Sequence, residues 1–197
     1  MNKKKIAEEV IFFIENDLVK HTENVVSVAL ALADVFHIEN KKDLVEAAVF
    51  HDFGKIVMID RLAKKGPLSK EDRFIVSMHP NFSLAMVKDH ITADAGVLIL
   101  LHHSYADGSG YPKIIAGKEI ALQILQASDL YDALNSERVY RRKSVDGWEQ
   151  IITEKIHNTD IVNALMEISQ RKMEFPERYE IPNVVKQRIE HYVSVFI

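Results

Sequence analysis

Apolar residues in this 197-residue chain recur at helical spacing, and strand-like alternation is almost absent. Val25, Val28, Leu32 and Val35 form one stripe, and Val185, Ile189, Tyr192 and Phe196 form another. Residues three and four apart share a helix face, whereas a half-buried strand needs a period of two. The pattern therefore restricts the fold to helices packed on helices. Between the stripes stand Gly54, "KKGPLSKED", "ADGSGYPKIIAG" and "FPERYEIPN", whose glycines and prolines break helices. Ser69 followed by Asp72 reads as a capping box opening a helix toward Met78. An all-α domain of about seven or more helices is expected from typical helix lengths. A chain of this length supports one substantial core, and two full domains would each be small. Residues 1–197 are thus expected to form a single domain, with a core of about 17–170 and a C-terminal helical appendage or dimer surface at 171–197.

The formal charge of -4 argues against a broad footprint for a nucleic acid polymer or an anionic membrane. With no cysteine, any metal must be held by nitrogen and oxygen ligands. The opening "MNKKKIAEEV" lacks the apolar stretch of a signal peptide, and the longest apolar runs, "VVSVALALA" and "GVLILL", fall well short of a membrane span. A cytoplasmic location is expected.

Five segments contribute side chains whose burial would need explaining. His21 lies one turn after Asp17 on the face that continues as the Val25 stripe, so both should point inward; taken alone, they make a pair that satisfies itself. His51 and Asp52 follow "AAVF" and precede Phe53, which places at least one of them in the interior. Gly54 reads as the left-handed cap of their helix. Lys55 beyond it either offers an ammonium to an anion or neutralises the helix end. His79 precedes Pro80, which ends or kinks the helix begun at Ser69. His102 and His103 close an oily run; adjacent imidazoles on a helix diverge by about 100°, enough to reach two metals about 3.5 to 4 Å apart. Asp129 lies on the apolar face of Leu122 and Leu125, where a carboxylate needs a cation or several donors. Asp132 reads as a surface acid or as an outer acceptor for a ligating histidine.

Together His21, His51, Asp52, His79, His102, His103 and Asp129 offer imidazoles and carboxylates without a thiol, a set suited to iron, manganese or zinc. Two such ions could share a hydroxide, make it nucleophilic at neutral pH and clamp the oxygens of a phosphodiester. Glycines at 108 and 110 allow backbone geometries closed to other residues, so that the loop could approach a nucleotide closely. "NSERVYRRKS" gathers cations just after Asp129, as an anion pocket or as a solvated helix end.

The elements "HDFGK", "KKGPLSKED", "MHP", "HHSYADGSGYP" and "ASDLYDALNSERVYRRK" occur in this order between about Asp17 and Lys143. This ordered set resembles the HD-GYP family of metal-dependent phosphodiesterases, a branch of the HD-domain superfamily. The resemblance implies a helical HD-domain bundle with a metal centre in its core. It implies hydrolysis of cyclic di-GMP to pGpG, GMP or both, by a dinuclear centre with a bridging hydroxide and Asp52 and Lys55 in catalytic roles. The metals, two with a third in some members and iron or manganese by preference, would be bound by His51, Asp52, His79, His102, His103 and Asp129. His21 would join as a ligand where a third is present, with Asp17 as a further ligand of that site. By the same resemblance Lys55, Arg138 and Arg141 face substrate phosphates, and Gly110 and Tyr111 line the substrate. The Gly110-Tyr111-Pro112 loop is also implicated in contacts with partner proteins.

Two positions depart from the family pattern. Ser104 stands where glutamate normally follows the paired histidines, and Asp17 where trinuclear members carry glutamate. Two other functions fit the same residues: hydrolysis of a different cyclic dinucleotide or nucleotide, and a receptor that binds cyclic di-GMP or a partner without turnover.

Overall fold

The structure, a computed structural model, describes residues 10–63, 66–114, 119–136, 147–170, 179–183 and 186–187. A π-helical stretch, Phe13–Lys20, runs directly into the helix His21–Val35. Lys42–Phe50 follows, then a 3-10 segment Phe53–Met58 that continues as the short helix Ile59–Leu62. Beyond these come Lys70–Val76, His79–Val87, Ala93–Leu101, Ile120–Asn135, Trp148–Ile156 and Thr159–Gln170. Among the described residues there is no strand; Ser104 and Gly110 form an isolated antiparallel bridge.

The His21–Val35 helix packs against Ile120–Asn135 and Lys42–Phe50, and its stripe residues Val25, Val28 and Leu32 lie in the main apolar core. Val35 departs from the expected stripe: it ends the helix and is half exposed, because the chain turns there through Phe36 and a left-handed His37. A smaller core, from Phe13 and Leu18 to Ile56 and Leu62, lies beneath the first helical stretch. The second stripe, Val185 to Phe196, lies outside the described residues.

Helix boundaries follow the local chemistry in several places. Ser69 caps Lys70–Val76 as expected, its hydroxyl accepting from Asp72 N at 3.0 Å. Pro80 acts differently from the expectation: the Ser69 helix stops at Val76, and Pro80 stands in the first turn of the next helix. There a missing N–H costs nothing, because that donor has no intrahelical partner anyway. Thr92 caps Ala93–Leu101 through Ala95 N at 3.1 Å. It is itself tied to Lys42–Phe50 by a hydrogen bond to Asp43 and one from its own N–H to Glu46. The helix that ends at the paired histidines is thereby fastened to the helix that ends at His51.

Gly54 is not a left-handed cap; its φ lies outside the positive region. It sits buried inside Phe53–Met58, where a β-carbon would stand 2.3 Å from His79 O and 2.5 Å from Ser83 N. Glycine is required there because two backbones touch. Ser83, fully buried, joins them by accepting from Gly54 N and donating to His51 O.

Candidate metal centre

The seven candidate ligands come from five separate parts of the chain. His21 opens its helix, His51 and Asp52 follow Phe50, and His79 begins the Pro80 helix. His102 and His103 follow Leu101, and Asp129 lies within Ile120–Asn135. The fold draws all seven together as two adjoining groups whose ligand atoms lie within 4.8 Å of one another: Asp52, His79, His102 and His103, and His21, His51 and Asp129.

Asp52 faces both groups. Its Oδ1 is 3.0 Å from His79 Nε2 and 4.0 Å from His102 Nε2, while its Oδ2 is 3.4 Å from His21 Nε2 and 3.6 Å from His51 Nε2. His21 Nε2 is also 3.2 Å from Asp129 Oδ1. Lys55, buried, donates its ammonium to Asp52 Oδ2.

The orientation of the rings decides what the groups can hold. His51, His79 and His102 direct Nδ1 at the carbonyls of Ala48, Val76 and Ile99, at 2.9, 2.7 and 2.6 Å. A carbonyl can only accept, so Nδ1 carries the hydrogen and, in a neutral ring, Nε2 is a bare lone pair. Those lone pairs meet other acceptors: His79 Nε2 and His102 Nε2 are 3.2 Å apart, and the buried Asp52 Oδ1 accepts no hydrogen bond. Protonation would relieve the conflict, but burial opposes it. It pushes His79 and His102 down to about 4, and lowers His51 and His103 as well. Converging lone pairs without hydrogens between them suit a cation, and imidazole with carboxylate suits a transition metal. The two groups have the donor set and the spacing to hold a metal ion.

The carboxylates are charged. Burial pushes Asp52 up, but Lys55 and His51 outweigh it and hold the group well below the usual carboxylate range. At Asp129 burial is likewise outweighed, by His21, His103 and His51.

One reading of the sequence changes here, and one pair of alternatives is decided. His102 and His103 do not diverge as neighbours on a helix would: both follow the end of Ala93–Leu101, their rings are 4.1 Å apart and tilted by 42°, and both belong to the Asp52 group. His103 also stands 3.8 Å from Asp129. Of its two readings Asp132 takes the second, an outer acceptor for a histidine: it is buried, its Oδ2 2.6 Å from His21 Nδ1, and it accepts from Asn24 and Ser136 at its other oxygen. Ser104 is buried and donates to Pro112 O, closing the glycine loop on itself. Gly108 and Gly110 have positive φ, as expected. What approaches Gly110, however, is the chain's own His103 carbonyl, 1.8 Å from where a β-carbon would be. Asp17 is buried but belongs to neither group, and the Tyr111 ring lies beside His103, tilted by 50° with ring centres 4.8 Å apart. Arg138 and Arg141 lie outside the described residues.

A family model described as the HD domain matches residues 5–153. The chain belongs to the HD domain family. This HD domain is 34% identical over 127 residues to the cyclic di-GMP phosphodiesterase response regulator RpfG of Xanthomonas campestris pv. campestris (strain 8004), covering 61% of this chain and 32% of the relative. It is 30% identical to the 3'3'-cGAMP-specific phosphodiesterase 2 of Vibrio cholerae serotype O1, covering 66% of this chain and 26% of the relative. The HD domain therefore spans about a third or less of these relatives. Their names agree with the resemblance to the HD-GYP branch. The crystal structure of the L. monocytogenes phosphodiesterase PgpH HD domain shares the fold, with a TM-score of 0.50 at 14% identity, covering 95% of this chain and 96% of that one.

Proposed function

We propose that the chain is a metal-dependent phosphodiesterase that hydrolyses cyclic di-GMP to pGpG, GMP or both. The observation that carries this reading is the convergence of histidine lone pairs and two charged carboxylates on one buried point, with Asp52 facing both groups. The substrate class is supported by the relatives named as cyclic dinucleotide phosphodiesterases.

Two divalent ions, iron or manganese, are the proposed occupants. One would be held by Asp52, His79, His102 and His103 and the other by His21, His51 and Asp129. When bound they supply Lewis acidity toward phosphoryl oxygens and an acidified water as nucleophile. Asp52, with one oxygen toward each group, sets how far apart the groups stand. His51, His79, His102 and His103, held neutral by burial, need shed no proton to bind a cation at neutral pH. Lys55 keeps Asp52 ionised and brings a positive charge that would offset the non-bridging phosphate oxygens. Tyr111, beside His103, would offer an aromatic face to a guanine. Arg138 and Arg141 are proposed to hold the phosphates.

The single-domain organisation, with a core of 17–170 and an appendage at 171–197, belongs to the same proposal, as does a dimer through that appendage. Partner proteins are proposed to meet the Gly110-Tyr111-Pro112 loop. Among the described residues no helix is long and apolar enough to cross a membrane; a cytoplasmic location is proposed.

A second reading, hydrolysis of a mixed cyclic dinucleotide, is favoured by the relative named as specific for 3'3'-cGAMP. Purified protein supplied with Mn²⁺ should be offered cyclic di-GMP, 3'3'-cGAMP and mononucleotides, with products resolved by chromatography. Cyclic di-GMP should be consumed fastest, and Asp52→Ala should abolish turnover while leaving helix content unchanged. Full turnover in that variant would overturn the mechanism, and preference for a mononucleotide would overturn the substrate.

A further inference from the structure

His103 differs from the other buried histidines in what orients it. His51, His79 and His102 each turn Nδ1 to a backbone carbonyl, and His21 turns Nδ1 to Asp132. At His103 the Nδ1 partner is the phenol oxygen of Tyr105, 3.1 Å away. The same nitrogen stands 3.8 Å from Asp129 Oδ2, so the hydroxyl bears directly on how the ring lies between the two groups.

Tyr105 is buried at 6% exposure and is fixed from outside the site. Its backbone accepts from Gly108 N and donates to Ser109 O, forming a tight turn. Lys155, from the Trp148–Ile156 helix, lies over the Tyr105 ring at 5.1 Å and donates to Asp107 and Ser109 on either side of Gly108. The same residue's carbonyl accepts from Ala106 N at 2.9 Å. Ile152 and Ile156 anchor that helix in the main core. A continuous path of contacts thus runs from the core, through Lys155 and the turn, to the Tyr105 hydroxyl and His103.

We propose that Tyr105 is a positioning residue for the metal centre: its hydroxyl sets the orientation of His103, and Lys155 holds the ring that carries it. A carbonyl partner imposes one tautomer, whereas a hydroxyl can donate or accept. His103 is therefore oriented by a neutral side chain whose hydroxyl can be removed without disturbing the backbone, whereas His21 is oriented by the charged Asp132. The inference rests on the metal-centre reading, and it predicts that the two groups respond unequally. Loss of an outer partner of a ligating histidine lowers metal affinity by about 10- to 100-fold.

The test is titration of the metal-free full chain with Co²⁺, followed by calorimetry and visible absorption, for the wild type, Tyr105→Phe and Lys155→Met. Tyr105→Phe keeps the ring and removes only the hydroxyl. It should weaken one binding step about tenfold and leave the other within about twofold. Lys155→Met should weaken the same step by less. In the Zn²⁺-loaded protein, nitrogen-15 histidine spectra of Tyr105→Phe should show one Nδ1–H resonance shifted and the rest unmoved. Two unchanged steps, equal weakening of both, or unmoved histidine spectra would overturn the role of Tyr105 while leaving the metal centre standing. A wild-type chain that takes up no Co²⁺ would overturn both.

Discussion

Single residues carry most of the chemistry, and their environments decide their roles. Asp52 is where charge matters most, since one oxygen faces each group and Lys55 lies against it. Replacing Lys55 with methionine leaves a buried carboxylate without its cation, a change that costs on the order of 3 to 5 kcal/mol in buried pairs. Metal binding should recover part of that loss. Chemical denaturation of Lys55→Met with and without Mn²⁺ should show a larger metal-dependent gain than in the wild type; an equal gain would mean that Asp52 does not need the lysine. The seven side chains that the fold gathers were named from the sequence, several because polar groups on apolar faces need partners and His79 through the family resemblance. Their grouping was not, because which rings face one another depends on how helices cross. Ser104 shows the opposite limit: it was legible only as a departure from the family pattern, and the bond by which its hydroxyl ties the loop to Pro112 was not.

At the scale of elements, the histidines are placed by helix ends. Ala48, Val76 and Ile99 all supply carbonyls from a last helical turn, where C=O groups lack intrahelical partners. Each histidine three residues on satisfies one of them, so a single bond caps a helix and aims a ligand. Composition and periodicity expose helices but not this coincidence, which needs the turn geometry after each helix. Gly54 was legible as special but for the wrong reason, since close approach of His79–Val87 cannot be seen from local sequence. Gly54→Ala should destabilise the fold by roughly 1 to 3 kcal/mol or more through overpacking against backbone. A urea midpoint within error of wild type would refute that contact. Thr92→Ala should cost about 0.5 to 2 kcal/mol as a lost cap, measured in the same way.

The molecule as a whole has a pH dependence set by its buried imidazoles. Burial lowers His79 and His102 from 6.5 to about 4 in the folded metal-free chain. Between those values the unfolded chain binds protons that the native state refuses, so stability rises with pH across the window and is lost as pH falls through it. The urea midpoint of metal-free protein should therefore drop between pH 7 and pH 5, and bound metal should deepen the drop, because protons then compete with the ion. The helical class and the order of the site elements were readable from the chain alone; the two-group division of the site required the tertiary crossing of helices from residues as distant as His21 and Asp129. The central claim is that these seven side chains hold metal, and elemental analysis of the purified chain, loaded with Mn²⁺ and then desalted, tests it most directly. About two ions per chain should remain in the wild type and fewer than one in Asp52→Ala. Negligible metal in the wild type, or equal metal in both, would contradict the account.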